Sequence, residues 1–165
     1  MNRRSFVVLV VVGAAVLALA VGPTLVEMFA PERSTTVAEA GPGPGAVTLA
    51  TGTFEGADAA HEVSGTVSLV REGDTHYLYF ENYTQTQGPD VFLYLTPQGD
   101  PSTREQVAAG VKVLVDGGAD GGESTKEGTF RQELPAGVDP TQYRGVSIWC
   151  DDFGVPFGWA TLDAE

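Results

Sequence analysis

The reactive chemistry open to this 165-residue chain rests on few side chains: one cysteine, Cys150, two histidines, His61 and His76, and a surplus of carboxylates. Cys150 closes the run Val146-Ser147-Ile148-Trp149-Cys150, and strand alternation puts it on the face of Val146 and Ile148, the face expected to be core. Two readings follow. A buried free cysteine is a small, inert apolar side chain; the functional alternative is a redox-active thiol or a thiolate that holds a cofactor. Asp151 and Asp152 come directly after it and favour the neutral thiol, which argues against a free nucleophile. A bound cation would reverse that balance by replacing the proton on sulfur, so a thiolate ligand is the better functional reading. Conventional catalysis finds little support: neither G-x-S-x-G nor H-E-x-x-H occurs, and there is no second cysteine to resolve a sulfenic acid.

The co-ligands on offer are His61 and His76, both at strand edges, with His61 sharing the parity of Val63, Val67 and Leu69. One cysteine and two histidines formally match a trigonal copper site. Against copper, Cys150 is followed by Asp151, Asp152, Phe153 and Gly154, and the only methionines are Met1 and Met28. Noncovalent haem with Cys150 or His61 as axial ligand stays open, whereas covalent attachment would need a C-x-x-C-H sequence that is absent. The plainer reading of each histidine is a hydrogen-bonded residue of the sheet wall. Trp149, Trp159, Phe153, Phe157 and Tyr143 gather around Cys150 in sequence; they either fill a core or line an apolar pocket beside the sulfur. Asp116 to Glu123 (DGGADGGE) fits no EF-hand spacing and reads as a solvated acidic loop rather than a Ca²⁺ site. Asn82-Tyr83-Thr84 is an N-glycosylation acceptor.

Short strands must position these groups. Val63, Gly65, Val67 and Leu69 alternate with Glu62, Ser64, Thr66 and Ser68, and Arg71-Glu72-Gly73-Asp74 supplies a turn back into Thr75 to Asn82, a hairpin. Pro89 to Thr96 is apolar on both parities, which marks a strand inside the sheet. Further strands are expected over residues 111–115, 128–134, 145–150 and 156–162, and a short helix over 102–109 with Ser102 as N-cap and Glu105 at the capping-box position. The expected class is all-β, an antiparallel β-sandwich. With a single cysteine no internal disulfide can form, so packing must supply the stability.

Ahead of the sandwich, residues 6–21 are all apolar or Gly, and the apolar stretch runs on to Ala30 interrupted by Glu27. That length suits a membrane-spanning helix, and Arg3 and Arg4 before it predict a cytoplasmic N-terminus with everything after it outside. Ala18-Leu19-Ala20 leaves a cleaved signal peptide, and so a secreted domain, as the alternative. The expected organisation is a signal-anchor over 1–30, a Pro/Gly-rich spacer over 31–45, and an extracytoplasmic domain over 46–165. A net charge of −13, with only two lysines, excludes nucleic acid as a partner and suits a surface working in high salt.

Four segments together resemble the electron-transfer DM-thirteen domain family, the modules of Skeletor-like animal proteins and of prokaryotic exported proteins. They are Gly52-Thr53-Phe54 leading into His61-Glu62-Val63-Ser64-Gly65-Thr66-Val67; Gly88-Pro89-Asp90-Val91 with Tyr94-Leu95; Tyr143 with Val146 to Cys150; and Phe153-Gly154-Val155 with Phe157-Gly158-Trp159-Ala160. The resemblance implies a β-rich extracellular module with one characteristic cysteine, taking part in electron transfer as a bare thiol or a haem ligand. On that basis the chain is expected to be a membrane-tethered redox module with a redox partner; the alternative is a cell-surface binding module in which Cys150 is structural.

Overall fold

The computed structural model describes residues 32–165; the signal-anchor expected over residues 1–30 lies outside the described residues. Among the described residues no helix is long and apolar enough to cross a membrane. The strands are β1 (Thr35–Ala38), β2 (Val47–Gly56), β3 (Val63–Glu72), β4 (Thr75–Gln85), β5 (Val91–Thr96), β6 (Val111–Val113), β7 (Lys126–Glu133), β8 (Gly145–Cys150), β9 (Val155–Thr161) and β10 (Asp163–Ala164), with one short α-helix, α1 (Arg104–Ala108), and a 3-10 turn at Pro140–Gln142 among the described residues.

The all-β class is as expected, but the layers are not two separate sheets. A single curled sheet runs β1-β7-β4-β3-β2-β9-β8-β5-β6, with β10 added against β2. Continuity comes from β2, whose first part pairs with β3 as far as Thr53 while Phe54–Gly56 pair with β9. The curl brings both halves over one core, in which Val67, Phe80 and Phe130 from one half join Leu93, Ile148 and Phe157 from the other. All strand pairs are antiparallel except β1 with β7.

The β3–β4 hairpin keeps the period-two pattern, with Val63, Val67 and Leu69 buried. Its register shifts between Ser64 and Thr66, where Gly65 has φ +105° and a Cβ would stand 2.8 Å from the carbonyl oxygens of Glu81 and Asn82. Only glycine fits so close an approach at that φ. The bulge resets the parity of β4, so that Leu78, Phe80 and then Tyr83, three residues on, all enter the core.

Two local expectations are corrected, and one strand is added to those expected. The helix is capped by Thr103 with Gln106 in the reciprocal position, one residue later than Ser102 and Glu105. Part of the stretch read as a spacer forms β1, and Glu39 beyond it accepts from Lys126 Nζ at 3.2 Å and from the Arg131 backbone N–H at 3.1 Å. β2 had no sequence signal of its own because its inward positions include Ala50 and Gly52, too small to register as an apolar alternation.

Candidate functional site

Cys150 ends β8 opposite Val91 of β5 and Val155 of β9, and lies in the core cluster with Val146 and Ile148, as its parity implies. The residue is 1% exposed. Its Sγ donates to the Pro89 carbonyl at 3.2 Å, while the Asp151 N–H donates to the Asp90 carbonyl at 2.9 Å. The Pro89-Asp90 segment therefore sits directly over the sulfur, tied to both Cys150 and the turn that follows it. Asp90 holds this position with φ +50°. The Phe157 ring lies against Gly88, and the His61 ring packs on Phe157 with ring centroids 4.6 Å apart.

Burial pushes the Cys150 thiol up; N–H groups of Phe153 and Asp152 pull it partly back, and the charges of Asp152 and Asp90 add to the rise. Of the two following carboxylates expected to act on the thiol, Asp152 does so. Asp151 instead accepts from Tyr94 Oη at 2.8 Å and pairs with Lys112 Nζ at 2.6 Å. The result is a neutral thiol under a peptide lid. We expect Ellman's reagent to modify it roughly a hundredfold more slowly in the native protein than in urea, since access needs local opening; equal rates would show that the Pro89-Asp90 segment does not cover the sulfur.

The other residues singled out from the sequence are not gathered around the sulfur. His61 precedes β3 and binds Asp58 through Nδ1 at 2.9 Å. His76 pairs with Arg71 at the far end of the same hairpin, roughly 25–30 Å along the strand. Alternation fixes a face, not a position along it, and that is why parity suggested two histidines could meet. Trp149 is buried on the opposite face of β8 from Cys150, with the Arg104 guanidinium 6.0 Å from its ring centre. Trp159 faces outward as well, and Phe153 stands 59% exposed in the turn after Cys150. Of this aromatic set Phe157 lies in the core cluster with Cys150, and Tyr143, partly buried, packs against that cluster. Asn82 is exposed at the hairpin bulge with φ +51°.

This donor set does not fit copper or haem. The sulfur has no open side, its proton is held by a carbonyl, and among the described residues no three His, Cys, Asp or Glu side chains converge to hold a metal ion. The acidic loop carries a further surprise: Glu123 is not solvated but 4% exposed, and its Oε2 has no hydrogen-bond partner among the described residues. Burial, then the charges of Glu32, Asp90, Asp120 and Asp152, push its carboxyl up to about 7. Nothing in the local sequence marks it, because the burial comes from packing against distant strands.

A family model described as Electron transfer DM13 matches residues 53–162, from the middle of β2 to the residue after β9, with Cys150 and its covering segment inside the match. No curated protein and no solved structure matches the chain.

Proposed function

The chain belongs to the electron transfer DM13 family, and on that premise we propose that it is an electron-transfer module tethered on the outer face of a membrane, with Cys150 as its redox group. The observation that carries the reading is the family match running through the strand of the chain's only cysteine. Tethering rests on the apolar stretch over residues 6–21 behind Arg3 and Arg4. The excess of carboxylates fits an exterior of high ionic strength, where screening relieves their repulsion.

The thiol is neutral, so loss of an electron from sulfur to an external one-electron acceptor must be accompanied by loss of the S–H proton. Asp152 and Asp90, whose charges act on the thiol, are the bases assigned to it in this reading. Voltammetry of the purified chain against Cys150→Ser tests this. The wild type should give a wave whose potential falls by about 59 mV per pH unit, and the variant should give none; a wave that survives the substitution would remove the cysteine from the mechanism.

A second reading is favoured by the 1% exposure of Cys150 and its bond to Pro89: a binding module in which the thiol only packs. It predicts no wave in either protein and partner binding that survives Cys150→Ser.

A further inference from the structure

On the outer face of the sheet, away from the core that holds Cys150, β2 and β9–β10 form the walls of a groove of about 390 Å³. Because Ala50 and Phe54 point inward, the alternate residues Thr53 and Glu55 point out, and the ladder sets Glu55 opposite Trp159 and Thr51 opposite Asp163. Asp100, from the loop after β5, joins the lining. Trp159 is partly exposed, whereas Trp149 is buried. The Trp159 indole is, among the described residues, the one aromatic side chain lining the groove, set among Thr51, Thr53, Thr161 and the carboxylates.

The charge around that face narrows the occupant. Glu55, Asp100 and Asp163 have no ion-pair partner among the described residues, and no Lys or Arg lines the groove. An anion is repelled, and a neutral sugar would leave three carboxylates uncompensated. A cation with a flat apolar face meets both demands. Guanidinium stacks on an indole and presents its N–H fork to a carboxylate beside it, which a compact, strongly hydrated ammonium does less well. We propose that this groove binds the guanidinium of an arginine side chain on a partner protein, stacked on Trp159 and paired with Glu55, with Asp100 and Asp163 supplying the field around it.

The test is an NMR titration of the full chain in neutral-detergent micelles, following the two tryptophan indole N–H signals at constant ionic strength. N-acetyl-arginine amide should move the Trp159 signal saturably, with a dissociation constant of about 1–10 mM for a single exposed residue, and leave Trp149 unmoved. Glu55→Gln should weaken binding about threefold or more, and Asp100→Asn, on the exposed loop, provides an independent variant of the same kind. The neutral isostere N-acetyl-citrulline amide should give no saturation. Equal shifts with arginine and citrulline, a linear response to arginine, or saturation by methyl glucoside in place of arginine would each overturn the proposal.

Discussion

Phe80→Ala is expected to lower stability by about 3–5 kcal/mol, the usual range for emptying a buried aromatic site. Phe80 is fully buried, and its ring stacks on Phe130 at 4.6 Å and on Phe54 at 6.1 Å, with Tyr83 edge-on at 5.2 Å. The four rings come from β2, β4 and β7, so the cavity would open where three strands meet and no single side chain could collapse into it. Domains of this size are stable by about 5–15 kcal/mol in total, so the variant would keep only a fraction of its margin. Urea denaturation read by tryptophan fluorescence measures the loss, with Val47→Ala, at a position 45% exposed, expected within about 0.5 kcal/mol of wild type. Cys150 lies in the same cluster, so Phe80→Ala should also speed its modification by Ellman's reagent. A loss below about 1 kcal/mol would mean that the curled sheet does not close over one shared core.

The sequence carried the face of each strand far better than its place in the sheet. Val63, Val67 and Leu69 declared a half-buried strand, and Val146, Ile148 and Cys150 declared the inward row of β8, because alternation is a property of neighbouring residues. What lay beyond it were the relations between distant segments. The parallel docking of Thr35–Ala38 on β7, with Thr35 opposite Lys126 and Ala38 opposite Thr129, joins residues some ninety apart in a stretch of low apolar content. The separation of His61 from His76, the outward turn of Trp159 and the exposure of Phe153 follow from register and turn geometry, which composition does not encode. The parity reset at Gly65 was legible only as a glycine inside a strand, a signal that allows a bulge without saying which partner residues it would displace. Burial of Glu123 had no signal at all: seven residues of Asp, Gly and Ala before it read as solvent-facing loop, and the Ser124 N–H bond to the Val91 carbonyl at 2.8 Å shows how the segment is drawn onto β5 instead.

That buried carboxyl makes stability depend on pH in the direction opposite to an ordinary ion-paired glutamate. In the unfolded chain Glu123 loses its proton near 4.5; in the folded protein burial and the surrounding acidic groups hold the proton until about 7. Below 4.5 both states are protonated and the group contributes nothing to the pH dependence. Between 4.5 and 7 the unfolded state ionises while the folded state does not, so the folded state binds more protons and stability falls as pH rises. Above 7 both states are ionised and the loss levels off, at a size on the order of 3 kcal/mol for this separation. Asp90, raised by burial and by Asp152 and Asp151, adds to the same trend, while Asp58 and Asp139, lowered by their hydrogen bonds, act in the opposite sense and only at more acidic pH. Growing self-repulsion of a chain with net charge −13 also destabilises as pH rises, so the variant Glu123→Gln is needed to isolate the site. Urea midpoints for both proteins at pH 5 and pH 8 should show the wild type losing on the order of 2–3 kcal/mol more than the variant over that interval. Parallel pH profiles for the two proteins would mean that Glu123 is hydrated in solution, and the acidic loop would then be as open as its sequence first suggests.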